Sequence, residues 1–247
     1  MLTPERLTRA VVARASRALK LITCIIGSRK CYCNCCKKLV SGFYTFGDRS
    51  ERCPYCNSFS RERFIVYCIA NKLLTLPAIE GGILHAAPSE GSLIESFQSQ
   101  PDYHPVDLFP EIYKKVNTQK MDLMTMNEAN RYRLVYLSHV MEHVPDDALV
   151  LQNLFRSLKV GGEGWFMIPM KDQVTKDGTP KMTARERELH FGQWDHARQY
   201  GPDFQDRLRN AGFEIKILKP DSVPTATFNQ LGFHSLNWIF VAEKKRA

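Results

Sequence analysis

The 247-residue sequence has no apolar run near the roughly 18 residues that a membrane span requires. Its first residues lack the apolar segment and small-residue cleavage site of a secretory leader. No segment repeats another and none is compositionally simple, which sets aside solenoids and low-complexity tails. Acidic residues are scarce at one end. Residues 1–72 hold 14 Lys/Arg against 4 Asp/Glu, and the remainder holds 20 against 22. The net charge of +8 therefore resides in the N-terminal third. A basic end on a near-neutral body attracts phospholipid, phosphorylated substrate or nucleic acid, with a solubilising surface as the plainer alternative. The length suffices for one α/β core with a small appended module. A cytoplasmic protein is expected, peripheral at a membrane if the basic end binds one.

Six of the eight cysteines lie between Cys31 and Cys56. Cys33-x-x-Cys36 and Cys53-x-x-Cys56 stand 16 residues apart, the spacing of two knuckles aimed at one tetrahedral zinc. Zinc would also give folding energy to a segment poor in apolar residues. Disulfides, a redox pair and an iron–sulfur cluster compete; a reducing compartment disfavours the first. Cys31 and Cys35 offer other registers. Cys24 and Cys68 lie in apolar helical segments and read as packing residues. Four cysteine ligands leave no open position, so the site reads as structural.

Residues 4–26 read as a basic amphipathic helix, with Pro4 in the first turn and Arg6, Arg9, Arg14, Arg17 and Lys20 against Leu7, Val11, Leu21, Ile22 and Ile25. It suits a membrane interface, or packing on the main domain. A second helix is expected over 63–74. Pro77 and Gly81-Gly82 then mark a boundary. This divides the chain into 1–30 (basic helix), 31–80 (ribbon and linking helix) and 81–247 (main domain). From there strands and helices alternate, the pattern of a mostly parallel sheet covered by helices. Strands are expected over 83–87, 105–109, 134–139, 164–168, 213–218 and 237–242. Helices are expected over 92–98, 146–158 and 202–210, with Gly161-Gly162 ending the second and Gly212 the third. Residues 170–200 show no clear period.

The fourth-strand segment LVYLSHVMEHVPDD (134–147) resembles a motif of class I S-adenosylmethionine-dependent methyltransferases. So does FRSLKVGG (155–162), which resembles the helix and turn before their fifth strand. FGQWDHARQYG (191–201) is similar to a segment of one subgroup that also carries an N-terminal zinc ribbon. Its C-P-x-C knuckle followed by arginines corresponds to Cys53-Pro54-Tyr55-Cys56, Arg61 and Arg63. The resemblance implies a Rossmann-like sheet with helices on both faces, a small zinc-ribbon module, and two cofactors, S-adenosylmethionine and zinc. It implies a cofactor loop at His85, Ala86, Ala87, Pro88 and Gly91, where Ala87 and Ser89 replace the first two glycines of G-x-G-x-G. Asp107 and Leu108 would meet the ribose, Asp122 and Leu123 the adenine, and Ser138 and His139 the methionyl part. Arg133 and Val160 depart from the family pattern.

If the acceptor is a hydroxyl, a histidine base helps remove its proton. His139, His143 and His196 are the candidates, the last beside Asp195. Three functions follow. The first is O-methylation of a small-molecule or glycan acceptor, lipid-linked if residues 4–26 meet a membrane. The second is nucleic-acid methylation through the basic ribbon, for which Tyr44, Tyr55 and Phe59 are few stacking aromatics and no Asn-Pro-Pro-Tyr motif is present. The third is a non-catalytic scaffold, motivated by the altered loop at 85–91.

Overall fold

The computed structural model describes residues 18–28, 30–46, 50–171 and 173–245. Residues 18–26 are helical, so the expected N-terminal helix is present there; residues 4–17 lie outside the described residues. No described helix is long and apolar enough to cross a membrane.

Two antiparallel hairpins come first. Strand β1 (Cys31–Cys33) pairs with β2 (Lys38–Val40), and β3 (Tyr44–Phe46) with β4 (Ser50–Arg52). The β1–β2 turn holds the first knuckle, and the second follows β4. Lys37 and Asn57, each directly after the second cysteine of a knuckle, take left-handed backbone at φ 58° and 63°. That bend turns each pair of sulfurs inward. Helix α1 (Ser60–Ala70) leads out of the ribbon.

The main domain then alternates as expected: β5 (Gly82–Ala86), α2 (Gly91–Phe97), β6 (Tyr103–Asp107), β7 (Gln119–Lys120), β8 (Tyr132–Ser138), α3 (Asp147–Ser157) and β9 (Leu158–Pro169). The chain continues through β10 (Lys176–Asp177), α4 (Ala184–Phe191), β11 (Arg198–Gln199), α5 (Phe204–Asn210), β12 (Glu214–Leu218), α6 (Thr225–Leu231) and β13 (Asn237–Glu243). Seven strands form one sheet in the order β12-β13-β9-β8-β5-β6-β7. From β9 to β7 all neighbours are parallel, and β13 runs antiparallel to both its neighbours. This is a Rossmann-like sheet. Its strand order reverses between β5 and β8, where open α/β sheets hold ligands beyond the strand carboxyl ends.

Alternation along β8 supplies both faces of the core. Val135 and Leu137 join Leu84, Phe166 and Phe240 beneath Val150, Leu154 and Phe204 of α3 and α5. Leu134 and Tyr136 join Ile83, Trp165 and Ile239 beneath Phe64, Leu93 and Leu231 of α1, α2 and α6. A strand covered on both faces is apolar along its length, as the sequence of β8 is.

Some boundaries move. The helix expected over 63–74 starts at Ser60 and ends at Ala70. Gly161-Gly162 do not end α3. That helix stops at Ser157, and the glycine pair lies inside β9, where Gly161 N–H donates to Lys244 O at 2.7 Å. The stretch without a period holds α4, whose Thr183 and Glu186 form a reciprocal capping box and whose Gly192 closes it at φ 79°.

The ribbon is fastened to the sheet by Arg63, which is fully buried. Its Nε donates to Leu231 O at 2.7 Å, Nη1 to Ser58 O at 2.9 Å and Nη2 to Gly232 O at 2.8 Å, and both Nη reach Glu51 O. Its guanidinium carbon lies 3.6 Å from the centre of the Phe43 ring. Gly232, at φ 58°, lies so close beneath that ring that a β-carbon would collide with it.

Candidate functional site

At the switch point, β5 and β8 both end in left-handed residues that are not glycine: Ala87 at φ 52° and His139 at φ 55°. Such backbone costs about 1–3 kcal/mol per residue and persists where the surroundings enforce it. Ala87 N–H donates to Val106 O at 2.9 Å and His139 N–H to Met167 O at 3.0 Å, so each bend is tied to the next strand. The loop 85–91 then turns into α2. His85 is buried behind it, with Nδ1 2.9 Å from Tyr103 Oη and Nε2 3.6 Å from Glu90. Glu90 is 1% exposed, and Arg61 of α1 donates to it at 3.4 Å. Burial works against its charge, but His85 and Arg61 prevail and hold its pKa at about 2. Beside it, Ser138 Oγ is buried without a hydrogen-bond partner.

Asp107 ends β6. One oxygen accepts Phe109 N–H at 2.7 Å and the other Tyr113 Oη–H at 3.0 Å. A carboxylate has further lone pairs for ligand hydroxyls. Leu108, Phe109 and Ile112 beside it are exposed apolar residues. Asp122 caps a turn by accepting Met124 N–H at 2.8 Å. Leu123 is buried, and its carbonyl accepts from Asn153 of α3 at 3.0 Å.

A cavity of about 790 Å³ opens next to the end of β8. That is the size of pockets that take small molecules. Residues 86–91, Asp107 and Asp122 do not line it. Its walls come from five stretches of chain: Phe59, Ser60 and Arg61 at the start of α1; His139, Glu142 and His143 after β8; Pro169, Met170 and Lys171 at the end of β9; Gln193 and His196 after α4; and His234, Leu236 and Asn237 leading into β13. The structure thus brings together all three candidate histidines. His139 Nδ1 lies 3.3 Å from Glu142, and its Nε2 is buried without a partner. His143 Nδ1 lies 3.3 Å from Asp195, and the His143 and His196 rings meet edge to face at 4.6 Å. Burial lowers the pKa of both His139 and His196, which favours neutral imidazoles. Burial also opposes the charge of Glu142, but the adjacent His139 and His143 outweigh it and hold its pKa at about 2.

Sequence reasoning passed over the residues that hold these groups. Arg198 donates to the carbonyls of Met141, Val144 and Pro145 and to Asp177, fixing the loop that carries His139, Glu142 and His143. Ala197 N–H donates to Glu142 O at 2.7 Å.

In the ribbon, the sulfurs of Cys33, Cys36, Cys53 and Cys56 all lie within 4.8 Å of one another. The Cys33–Cys56 and Cys36–Cys53 separations are both 3.7 Å. A tetrahedral zinc with ~2.3 Å bonds separates its sulfurs by about 3.8 Å, whereas a disulfide needs about 2.05 Å. The donor set therefore fits a zinc ion and not two disulfides. Cys31 and Cys35 are outside this cluster.

The profile of a family described as a methyltransferase domain matches residues 80–216. A methyltransferase from Archaeoglobus fulgidus is similar in structure, at 14% identity and a TM-score of 0.51, covering 74% of this chain and 94% of that one. A chain from the complex of the Haloferax volcanii Trm112 activator with a methyltransferase reaches 0.50 at 12% identity, covering 75% and 94%. The Burkholderia thailandensis 1,6-didemethyltoxoflavin-N1-methyltransferase, solved with S-adenosylhomocysteine, has a TM-score of 0.49 at 14% identity, covering 75% and 79%. No curated protein matches the chain significantly.

Proposed function

The chain belongs to the methyltransferase-domain family and is an S-adenosylmethionine-dependent methyltransferase, and from this premise we propose that it methylates an oxygen of a small-molecule or glycan acceptor held in the cavity beside β8. The observation that carries this reading is His139. It stands at the strand end that meets the cofactor and on the cavity wall. Glu142 stands 3.3 Å from one ring nitrogen, and the other, buried and unpartnered, is placed to accept a proton.

The cofactor loop Ala86, Ala87, Pro88 and Gly91 would face S-adenosylmethionine, with Ser138 Oγ as a buried group that a ligand would satisfy. Asp107 would take the ribose hydroxyls, Leu108 would pack beside them, and Asp122 and Leu123 would frame the adenine. His85 supports the loop from behind. When bound, the cofactor supplies a methyl whose carbon–sulfur bond breaks, with the electron pair going to sulfur, as an acceptor lone pair attacks in line. The protein's share is to align the two and hold the acceptor away from water. His143 and His196 complete the acceptor wall. Cys33, Cys36, Cys53 and Cys56 would hold a structural zinc.

The ribbon's aromatic surface favours this reading over nucleic-acid methylation. Phe59 is covered by Arg52 and Arg61, each 4.1 Å from the ring centre, and Lys38 lies over Tyr55. Phe59, taken by two guanidinium groups, offers no free face on which a base stacks. Leu19, Ile22 and Ile26 are exposed on the helical residues 18–26, which supports contact with a membrane bearing a lipid-linked acceptor.

Calorimetric titration of S-adenosylhomocysteine tests the cofactor assignment. Asp107→Ala is expected to weaken binding about tenfold, equivalent to about 1.4 kcal/mol; unchanged affinity would remove Asp107 from the site. His139→Asn is expected to abolish transfer to sugar hydroxyls while leaving the nucleotide end of the cofactor bound.

A further inference from the structure

The acceptor wall holds a cluster that the proton transfer just described does not use in full. Glu142 is 2% exposed, and neither of its carboxylate oxygens makes a hydrogen bond. His139 Nδ1 stands 3.3 Å from one of them, Oε1. The other, Oε2, is equally buried and has no hydrogen-bond partner among the described residues. A buried carboxylate oxygen without a donor is costly and calls for a partner. Ligand atoms of Glu142, His143 and His196 lie within 4.8 Å of one another. Small side-chain rotations would bring them onto a coordination sphere with bonds of about 2.1 Å.

The surroundings are those of a metal site. His143 turns its Nδ1 to Asp195 at 3.3 Å, the outer carboxylate that orients a ligating imidazole. The backbone locks the three donors together: Ala197 N–H donates to Glu142 O at 2.7 Å, and Arg198 ties down the carbonyls of Met141, Val144 and Pro145. All three donors line the cavity, so an ion here keeps coordination positions open to a bound molecule. The ribbon cluster differs in kind, with four thiolates and no open position.

We propose that Glu142, His143 and His196 form a second metal site, which takes a divalent transition ion and presents it to the acceptor. Two imidazoles and one carboxylate suit borderline ions such as Zn²⁺, Co²⁺, Mn²⁺ or Fe²⁺. The ion favours acceptors that offer a hydroxyl with a second oxygen beside it, as a sugar diol does. It lowers the pKa of the coordinated hydroxyl, whose O–H bond breaks with the proton passing to His139 Nε2 and the electron pair staying on oxygen. The substrate class rests on the methyltransferase reading above; the metal site itself does not.

The test adds Co²⁺ to the zinc-loaded, full-length protein and follows the visible spectrum, with zinc content measured alongside. The expected result is one equivalent of cobalt with ligand-field bands and no intense thiolate-to-cobalt absorption, since the four thiolates remain with zinc. Glu142→Gln and His196→Gln are each expected to weaken cobalt binding tenfold or more while zinc content and thermal transition stay as in the parent. Absence of cobalt binding, a thiolate spectrum, or binding unchanged in both variants overturns the proposal. Titration of S-adenosylhomocysteine into the same samples separates the two ideas. Nucleotide binding without cobalt removes only the metal site, and cobalt binding without transfer to any diol removes only the substrate class.

Discussion

The ribbon and the sheet are held together by different means. Among the described residues, the ribbon's own buried cluster is Cys33, Val40 and Cys53, two of them members of the four-cysteine cluster. The sheet buries large apolar clusters on both faces, built from alternate residues of β8 and its neighbours. Apolar burial alone stabilises the second. The first gathers four sulfurs that fit a zinc ion and receives one arginine that reaches carbonyls on both sides of the junction. A small module can therefore be rigid without a core, provided its few polar contacts are complete.

The largest effect should come from removing a sulfur. Cys53→Ser is expected to release zinc, whose binding is worth about 10 kcal/mol or more in comparable modules. Hydrogen exchange should then show fast amides over 31–58 and retained protection in β5 and β8. Loss of protection in both regions would mean that the sheet depends on the ribbon. Next is Arg63→Met, which removes the partner of four carbonyls, two of them on buried residues, and is expected to cost about 3–5 kcal/mol in urea unfolding. Arg63→Lys should not rescue it, because one ammonium cannot reproduce the planar fork.

A smaller effect concerns Glu90, which joins Arg61 of the ribbon side to His85 of the sheet. Its folded pKa, about 2, lies below the ordinary 4.5. A depressed carboxylate contributes stability that is fully present above about 4.5 and is lost as pH falls through about 2. Glu90→Gln should flatten the stability profile across that window and leave zinc content unchanged. The smallest effect is expected from Asp102→Ala. Its bond to Arg131 at 2.9 Å is exposed, and such pairs contribute about 0–1 kcal/mol.

What could be read from the sequence follows from how local each signal is. The cysteine cluster was legible because both knuckles fix their own geometry. The strands at 82–86 and 132–138 were legible because burial on both faces leaves continuous apolar runs. Helix α4 was missed because Phe191 is its one buried residue, so it has no apolar stripe; its Thr183-x-x-Glu186 cap was the readable sign. Gly161-Gly162 suggested a helix stop, but β13 and the residues after it draw that backbone into β9. Helix α6 buries only Leu231 and so shows no apolar stripe. Arg63 was legible only as an arginine after the second knuckle, because the Leu231 and Gly232 carbonyls that receive it lie nearly 170 residues away in sequence. The acceptor wall was half legible. His139 and Glu142 are three apart in one motif, but Asp195 meets His143 only once the chain has crossed β9 and returned.

The placement of Phe59, Ser60 and Arg61 on the cavity wall has a consequence for how such proteins diversify. The loop at 85–91 meets the module side at the Glu90–Arg61 pair, whereas the cavity takes three wall residues, Phe59, Ser60 and Arg61, from that side. Changes on that side that spare Arg61 can reshape what the cavity admits and leave the pair at the loop in place. A chimera that keeps residues 82–245 and takes its ribbon from a relative would then exchange one substrate for another at constant cofactor affinity.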